Sequence, residues 1–129
     1  MIVLDASIVI AHLAAADAHD ARATAFFREQ ADAEFIVHTL TLTEILVGPS
    51  RVGRALDATR ALAALGVDEW APPAGGAARL AQLRVGSGMK LPDCCVLDAA
   101  IETGSALATF DKRLASAARA SGLAVVSIG

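Results

Sequence analysis

The stretch MIVLDASIVIA, at residues 1–11, decides how the rest of the chain is interpreted. An apolar run from Ile2 to Leu4 meets Asp5, and a second apolar run begins almost at once. The first run is typical of a short buried strand, and residues 7–16 are typical of a helix. An acid directly after a buried strand therefore needs an explanation, because charge is costly inside a protein unless it serves a purpose.

The remainder of the chain repeats this alternation of short apolar strands and helices. Glycines favour helix ends, and we expect Gly48-Pro49 and Gly66 to stop two helices. Strands that are apolar without alternation predict a parallel sheet covered on both faces. The sequence thus predicts an α/β fold, a three-layer doubly wound domain with a short parallel sheet, as a single domain over 1–129. The predicted strands are 2–4, 34–38, 67–70, 106–110 and 123–128, and the predicted helices are 7–16, 19–31, 41–48, 51–66, 76–86, 92–104 and 111–122.

Charge is distributed unevenly along the chain. The net charge is −3, which argues against a generally basic nucleic-acid-binding protein. Residues 51–92, however, carry six basic residues against three acidic ones. That segment either faces phosphates or forms solvated helix faces, and the sequence leaves both interpretations open. The six basic residues are Arg51, Arg54, Arg60, Arg79, Arg84 and Lys90.

The apolar content bears on assembly and compartment. Apolar residues make up 55% of the chain, which is more than a small core accommodates, so we expect a subunit interface. No apolar run reaches the roughly 18 residues of a membrane span, and the start lacks the basic residues of a signal peptide. The adjacent Cys94 and Cys95 fit buried thiols in a reducing compartment. We therefore predict a cytoplasmic protein that does not contact membranes.

Four acids fall where a parallel sheet binds ligands, beyond the carboxyl ends of its strands. Asp5 and Asp111 each end a predicted strand, while Glu44 and Asp93 lie in first turns of predicted helices. Each also has a structural explanation, because Asp5, Asp93 or Asp111 could cap a helix, and Thr41 with Glu44 fits a capping box. Two carboxylates 5 Å apart repel by about 3 kcal/mol at an effective dielectric of 20. A divalent cation removes that cost, and oxygen ligands without His or Cys suit Mg²⁺ or Mn²⁺.

Four segments, in this order and in a chain of this length, resemble the PIN-domain ribonucleases. The likeness is strongest to the VapC-type toxins of bacterial toxin–antitoxin pairs, and it extends over essentially the whole chain. The segments that carry it are MIVLDASIVIA at 1–11, TLTEILVGP at 41–49, LPDCCVLDAAIETG at 91–104 and ALATFDKRL at 106–114.

This resemblance implies a metal-dependent endoribonuclease whose products carry 5′-phosphate and 3′-hydroxyl ends. It implies Mg²⁺ or Mn²⁺ held by Asp5, Asp93 and Asp111, directly or through water, with Glu44 as a further ligand or as the group that orients the attacking water. Ser7 and Thr109 stand where relatives carry supporting polar groups. The resemblance also implies a homodimer, an antitoxin that covers the acidic pocket, and a structured RNA such as transfer or ribosomal RNA as substrate.

Asp98 departs from the pattern, because we expect an apolar residue there. Five helical residues turn the chain by 500°, so Asp98 and Asp93 point about 140° apart. Asp98 also lies four residues before Glu102, on a stripe that we expect to face solvent. We therefore expect Asp93, and not Asp98, to belong to the acidic site.

Other classes fit less well or explain less. A phosphatase with an aspartate nucleophile needs a second acid two residues after Asp5, where this chain has Ser7. A dinucleotide-binding domain needs a glycine-rich turn after the first strand, which is absent. The best alternative is a catalytically silent α/β domain that binds a partner protein, with the four acids acting only as helix caps.

Overall fold

Four parallel strands form the sheet at the centre of the molecule. The computed structural model describes residues 1–14, 18–126 and 128. The strands are β1 (Ile2–Leu4), β2 (Phe35–His38), β3 (Val67–Trp70) and β4 (Ala106–Ala108), in the order β3-β2-β1-β4. All three strand pairings are parallel, which confirms the predicted α/β class.

Helices cover both faces of this sheet and produce the predicted three layers. Ile2 and Leu4 of β1 point into one apolar cluster, and Val3, between them, points into the other. The first cluster contains residues of α1 to α4, and the second contains residues of α6 and α7, with α5 packed against α6. The helices are α1 (Ala6–Leu13), α2 (Asp20–Glu29), α3 (Thr39–Arg51), α4 (Ala55–Leu65), α5 (Gly76–Ser87), α6 (Leu91–Thr103) and α7 (Lys112–Ala120).

Helix α3 differs from its prediction at both ends. It begins at Thr39, where the ring Nδ1 of His38 accepts a hydrogen bond of 2.9 Å from the Leu40 N–H. It also continues through Gly48-Pro49 to Arg51, so the predicted stop at these two residues is wrong. Pro49 is tolerated because it lies in the last turn, where the missing N–H disturbs only the end of the hydrogen-bond ladder.

Helix α4 is shorter than predicted, because residues 52–54 form a turn between α3 and α4. Gly53 in this turn has a φ of 71°, which a side chain would strain. The predicted end of α4 is confirmed, since Gly66 adopts the left-handed conformation with a φ of 77°.

The predicted fifth strand at 123–128 is the largest departure. Its described residues contribute one parallel bridge, between Val125 and Leu107, instead of a full strand. Residue 127 of this prediction, like residues 15–16 of the first predicted helix, lies outside the described residues. Within the described part of the chain, no helix has the length and apolar character needed to cross a membrane.

Candidate active site

The fold brings the four predicted acids to the carboxyl edge of the sheet. Asp5 directly follows β1, and Asp111 follows β4, its neighbour in the sheet. Helix α3 starts at the carboxyl end of β2 and carries Glu44. Helix α6 leads back to the start of β4, so its first turn, with Asp93, lies at the same edge. The four side chains therefore surround one end of the β1–β4 pair.

Hydroxyl groups hold the Asp5 carboxylate in place. Its Oδ2 accepts a hydrogen bond of 2.7 Å from Thr109 Oγ1 and one of 3.1 Å from Ser7 Oγ. Although Asp5 occupies the N-cap position of α1, its side chain makes no capping hydrogen bond. Helix capping therefore does not explain this acid. Ser7 is not the N-cap of α1, because it lies inside the helix, where its hydroxyl donates to Asp5.

Asp111, in contrast, does cap a helix. Its Oδ1 accepts hydrogen bonds from the backbone N–H groups of Arg113, at 2.8 Å, and Leu114, at 3.2 Å, at the start of α7. The Asp111 N–H in turn donates to Thr109 Oγ1 at 2.9 Å. Thr109 thus links Asp5 to Asp111, and the Oδ2 of Asp111 lies outside the capping bonds.

The capping-box interpretation of Glu44 is wrong. His38 occupies the N-cap, which places Thr41 at the third helical position and Glu44 in the second turn, not the first. Thr41 is fully buried, and its hydroxyl has no hydrogen-bond partner among the described atoms. Glu44 is exposed at the surface of α3. No helix-capping role therefore remains for it.

The pKa shifts of Glu44 and Asp93 agree with one shared site. Although Glu44 is exposed overall, burial of part of its side chain raises its pKa, and the nearby Asp5 and Asp93 raise it further. Partial burial likewise raises the pKa of Asp93, with further contributions from Asp5 and Asp111 that Lys90 and Arg113 oppose. Asp5 thus acts on both Glu44 and Asp93, Asp93 acts on Glu44, and Asp111 acts on Asp93, as expected of a cluster of like charges.

Carboxylate oxygens that repel one another suit a hard divalent cation, which binds oxygen ligands and neutralises their charge. Within the described residues, however, no three acidic, histidine or cysteine side chains are arranged to enclose a metal ion. Mg²⁺ usually keeps several of its water ligands and takes only one or two carboxylates directly, so such an enclosure is not required. The chemistry of these four carboxylates therefore fits a cation held partly through water.

Asp98 lies outside the carboxylate cluster. The expectation that its helix face is solvated is wrong. It is 1% exposed, and its two oxygens pair with Nε and Nη2 of Arg79 from α5, at 3.0 and 3.3 Å. The same Arg79 Nε lies 3.3 Å from Glu102. The stripe of Asp98 and Glu102 therefore faces α5, where one arginine compensates both acids. Asp98 is not among the charges that shift the pKa of Glu44 or Asp93.

Three of the six basic residues in 51–92 are used within the protein. Arg79 binds Asp98, and Arg54 pairs with Asp57 at 3.3 Å. Arg84 donates to the backbone oxygens of Gly88 and Met89. Half of the basic residues in this segment thus have a partner within the protein, and two of them, Arg79 and Arg84, bind groups of α6 and the α5–α6 connection.

The cysteines do not supply a nucleophile. Cys94 and Cys95 are free and buried, as predicted. Burial raises the pKa of Cys95 to about 11, so this thiol stays protonated near neutral pH.

Geometry alone thus defines a parallel α/β domain with a carboxylate cluster at the ends of β1 and β4, where the strand order reverses. The family model described as PIN domain matches residues 2–120, and the chain belongs to this family. A comparison with curated proteins found no match.

Solved structures share the fold at low sequence identity. Mycobacterium tuberculosis VapC20, described as a sarcin-ricin loop cleaving toxin, has a TM-score of 0.73 and 18% identity, over 91% of this chain and 95% of that one. FitAcB from Neisseria gonorrhoeae has a TM-score of 0.70 and 19% identity, over 98% and 97%. A toxin–antitoxin complex from Klebsiella pneumoniae has a TM-score of 0.69 and 20% identity, over 86% and 87%. All three comparisons place this chain in the same fold.

Proposed function

We propose that this chain, acting as one PIN-like unit over 1–129, is the toxin of a type II toxin–antitoxin pair and a metal-dependent endoribonuclease. The observation that carries the proposal is the convergence of four carboxylates at one end of the β1–β4 pair, where Asp5 is held by Thr109 and Ser7 and caps no helix. The repulsion between the carboxylates destabilises the folded chain, and a cluster with this cost is characteristic of functional sites. Family membership and the toxin neighbours support the same conclusion.

In this proposal Asp5, Asp93 and Asp111 hold Mg²⁺ or Mn²⁺. When bound, the ion supplies charge neutralisation at the phosphate and a lower pKa for water. Ser7 and Thr109 fix Asp5, and the α7 cap fixes Asp111. Glu44, with its raised pKa, orients the attacking water by accepting a hydrogen bond from it. The water oxygen bonds to phosphorus, the P–O3′ bond breaks, and a proton reaches O3′, which leaves 5′-phosphate and 3′-hydroxyl ends.

The silent-domain alternative accounts for only part of the geometry. It predicts that the acids act as caps, and Asp111 does so. It does not account for Asp5, which makes no capping bond, or for Glu44, which is far from the N-cap. Those two residues favour the enzyme.

The test is cleavage of purified transfer and ribosomal RNA with Mg²⁺ or Mn²⁺. We expect cleavage that a chelator stops and that Asp5→Asn lowers by several decades. Asp32→Asn, at an exposed acid of the same charge outside the site, is the matched control and should cleave normally. Full activity in Asp5→Asn would point to a contaminating nuclease, and a Mn²⁺ titration without binding would favour the silent domain.

The proposal includes an antitoxin that places an arginine in the acidic cluster. A guanidinium makes two parallel charge-assisted hydrogen bonds to a carboxylate and competes with the cation. A cognate antitoxin should therefore bind a variant with Asp5→Asn and Asp93→Asn much more weakly than the unaltered chain. Equal affinity would exclude this mode of inhibition.

A further inference from the structure

A second concave site lies directly beside the carboxylate cluster. It is a cavity of about 370 Å³ at the end of β4, which is an edge strand of the sheet. Its size falls at the lower end of ligand pockets, which span roughly 300–1,000 Å³. We call it the β4 pocket, and it is lined by Arg22, Thr109, Phe110, Asp111, Lys112, Ala115, Arg119, Val125, Val126 and Ile128.

One wall of the β4 pocket is an oriented arginine. The guanidinium carbon of Arg22 lies 4.7 Å from the ring centroid of Phe110. Its Nη2 donates to the Ile128 backbone oxygen at 2.9 Å, and its Nη1 lies 3.1 Å from Nδ1 of His19. A guanidinium has five N–H donors, so these contacts fix its plane without using all of them. Arg22 is exposed, and a planar group held in this way is well suited to a phosphate.

Helix α7 adds two more cations to the lining. Lys112, Ala115 and Arg119 follow one another at three and four residues along α7, so they share one face of the helix. Lys112 and Arg119 are exposed, and the small Ala115 between them keeps the cavity open. Three cations thus line the β4 pocket against one carboxylate, that of Asp111, whose Oδ1 already caps α7.

The β4 pocket and the carboxylate cluster are continuous. Thr109 and Asp111 line the pocket, while Thr109 also donates to Asp5. An RNA strand whose scissile phosphate lies at the four acids would therefore have its neighbouring phosphates close to the three cations. Phe110 is already covered by Arg22 and by the His19 ring, which stacks on it at 4.8 Å, so the wall presents cations rather than a stacking platform.

We propose that the β4 pocket binds backbone phosphates of single-stranded RNA next to the scissile bond. This inference rests on the proposed function and specifies how its substrate is held. Phosphate contacts position a strand without reading its sequence. A single strand is required because its backbone can bend from the cluster into a cavity, whereas a duplex keeps its phosphates on a regular helix.

The test compares two triple variants with the same change in charge. One is Arg22→Gln with Lys112→Gln and Arg119→Gln, and the other is Arg28→Gln with Arg51→Gln and Arg60→Gln, at exposed arginines outside the pocket. The probe is a fluorescein-labelled single-stranded 12-mer RNA in EDTA, with anisotropy measured across a KCl series. Three lost phosphate contacts should lower affinity by more than about tenfold and make the slope of log K against log salt shallower by about 2. The control triple should bind within about twofold of the unaltered chain, since it keeps all three contacts.

A second variant guards against misfolding, because Arg22 also contacts Phe110 and Ile128. Lys112→Gln with Arg119→Gln leaves those contacts intact and should show about two thirds of the slope change of the triple variant, because it removes two of the three phosphate contacts. Single-turnover cleavage at saturating RNA should stay within a few-fold of the unaltered rate for this double variant, with the loss appearing in the half-saturating concentration.

The outcomes separate the pocket from the proposed function. Three results would overturn the pocket assignment. Both triple variants could lose RNA affinity equally, or the unaltered chain could fail to bind the 12-mer. The pocket variants could also bind RNA normally but no longer bind an antitoxin. If the unaltered chain cleaves RNA with metal and the pocket triple variant binds the 12-mer with unchanged affinity, only the assignment of the pocket is refuted. If the chain binds RNA through the pocket but never cleaves it, the proposed endoribonuclease activity is refuted and the pocket remains an RNA-binding site.

Discussion

Thr109 donates a hydrogen bond of 2.7 Å to Asp5, although 104 positions separate the two residues in the chain. The same hydroxyl oxygen accepts the N–H of Asp111 at 2.9 Å. Thr109 is buried, so both bonds are shielded from water. One side chain therefore orients two of the four acids, much as outer groups orient the ligands of a metal site.

This arrangement predicts a graded response at position 109. Thr109→Val keeps the shape but removes the donor to Asp5 and the acceptor for Asp111, so Mn²⁺ affinity and cleavage should each fall about 10–100-fold. Thr109→Ser keeps the hydroxyl and should stay within a few-fold of the unaltered chain. Calorimetric titration with Mn²⁺ and single-turnover cleavage measure both. A fully active, folded Thr109→Val would show that Asp5 needs no such support.

The ion pair of Asp98 predicts that, of the two acids on α6, Asp98 matters for stability and Asp93 for activity. Arg79→Ala leaves the Asp98 carboxylate buried without its partner, so the urea midpoint should fall several times further than for Arg54→Ala, which breaks an exposed pair. Asp98→Ala leaves Arg79, which is more exposed, paired with Glu102, so it should cost less than Arg79→Ala.

The same helix supplies the functional contrast. Folded Asp98→Ala should bind Mn²⁺ and cleave RNA within a few-fold of the unaltered chain, whereas Asp93→Ala should lose both. Metal titration and cleavage at a temperature where both variants are folded provide the comparison. If Asp98→Ala is as inactive as Asp93→Ala, Asp98 contributes to the site through a path that the ion pair does not explain.

The raised pKa of Glu44 predicts a stability cost at neutral pH. A carboxyl with a higher pKa in the folded state binds its proton more tightly there, so its contribution favours folding below its ordinary pKa of 4.5 and is lost as pH rises through the raised value. Glu44→Gln should therefore raise the melting temperature of the metal-free chain at pH 7 by a few degrees. At about pH 3.5 the gain should vanish, because the carboxyl is then protonated in both states.

The control for that measurement is Glu34→Gln, at an exposed acid outside the site, which should change the melting temperature little. Saturating Mn²⁺ should reduce or reverse the advantage of Glu44→Gln, because a ligand stabilises only the chain that binds it. A melting temperature that Glu44→Gln lowers at pH 7 would contradict the repulsion described here.

Exposed apolar residues around the end of α3 predict a homodimer. Val47, Val52 and Leu56 are 43%, 70% and 61% exposed. Light scattering at micromolar concentration should give about twice the chain mass of 13.2 kDa. Val47→Lys with Val52→Lys should give monomers, whereas Val85→Lys on α5 should not. A monomeric unaltered chain would contradict the prediction.

The fold was predictable because local sequence and tertiary position agree. Short runs without alternation indicate strands covered on both faces, and Gly66 and Gly104 end helices where the left-handed conformation is required. The four acids were predictable for a related reason, since residues that follow parallel strands meet at one edge. Their roles as ligands remain predictions.

Other features depend on which elements meet in space. The sequence does not show that α5 packs against α6, so it suggested solvent around Asp98 where Arg79 stands. The β4 pocket was missed because Arg22 and Arg119 lie far apart in the chain and outside the basic segment. The start of α3 was misplaced because a histidine ring replaces the hydroxyl or carboxylate of an ordinary cap.

The pairing of β1 with β4 has a consequence for synthesis on the ribosome. Asp5 is made before β4, yet one of the two strands beside β1 and one of the two hydroxyls that hold Asp5 come from residues 106–109. A nascent chain that lacks this segment holds Asp5 without its β4 neighbour and without the Thr109 hydroxyl. For the endoribonuclease proposed here, we therefore expect that a chain terminated before β4 does not cleave RNA, because it lacks both Thr109 and Asp111.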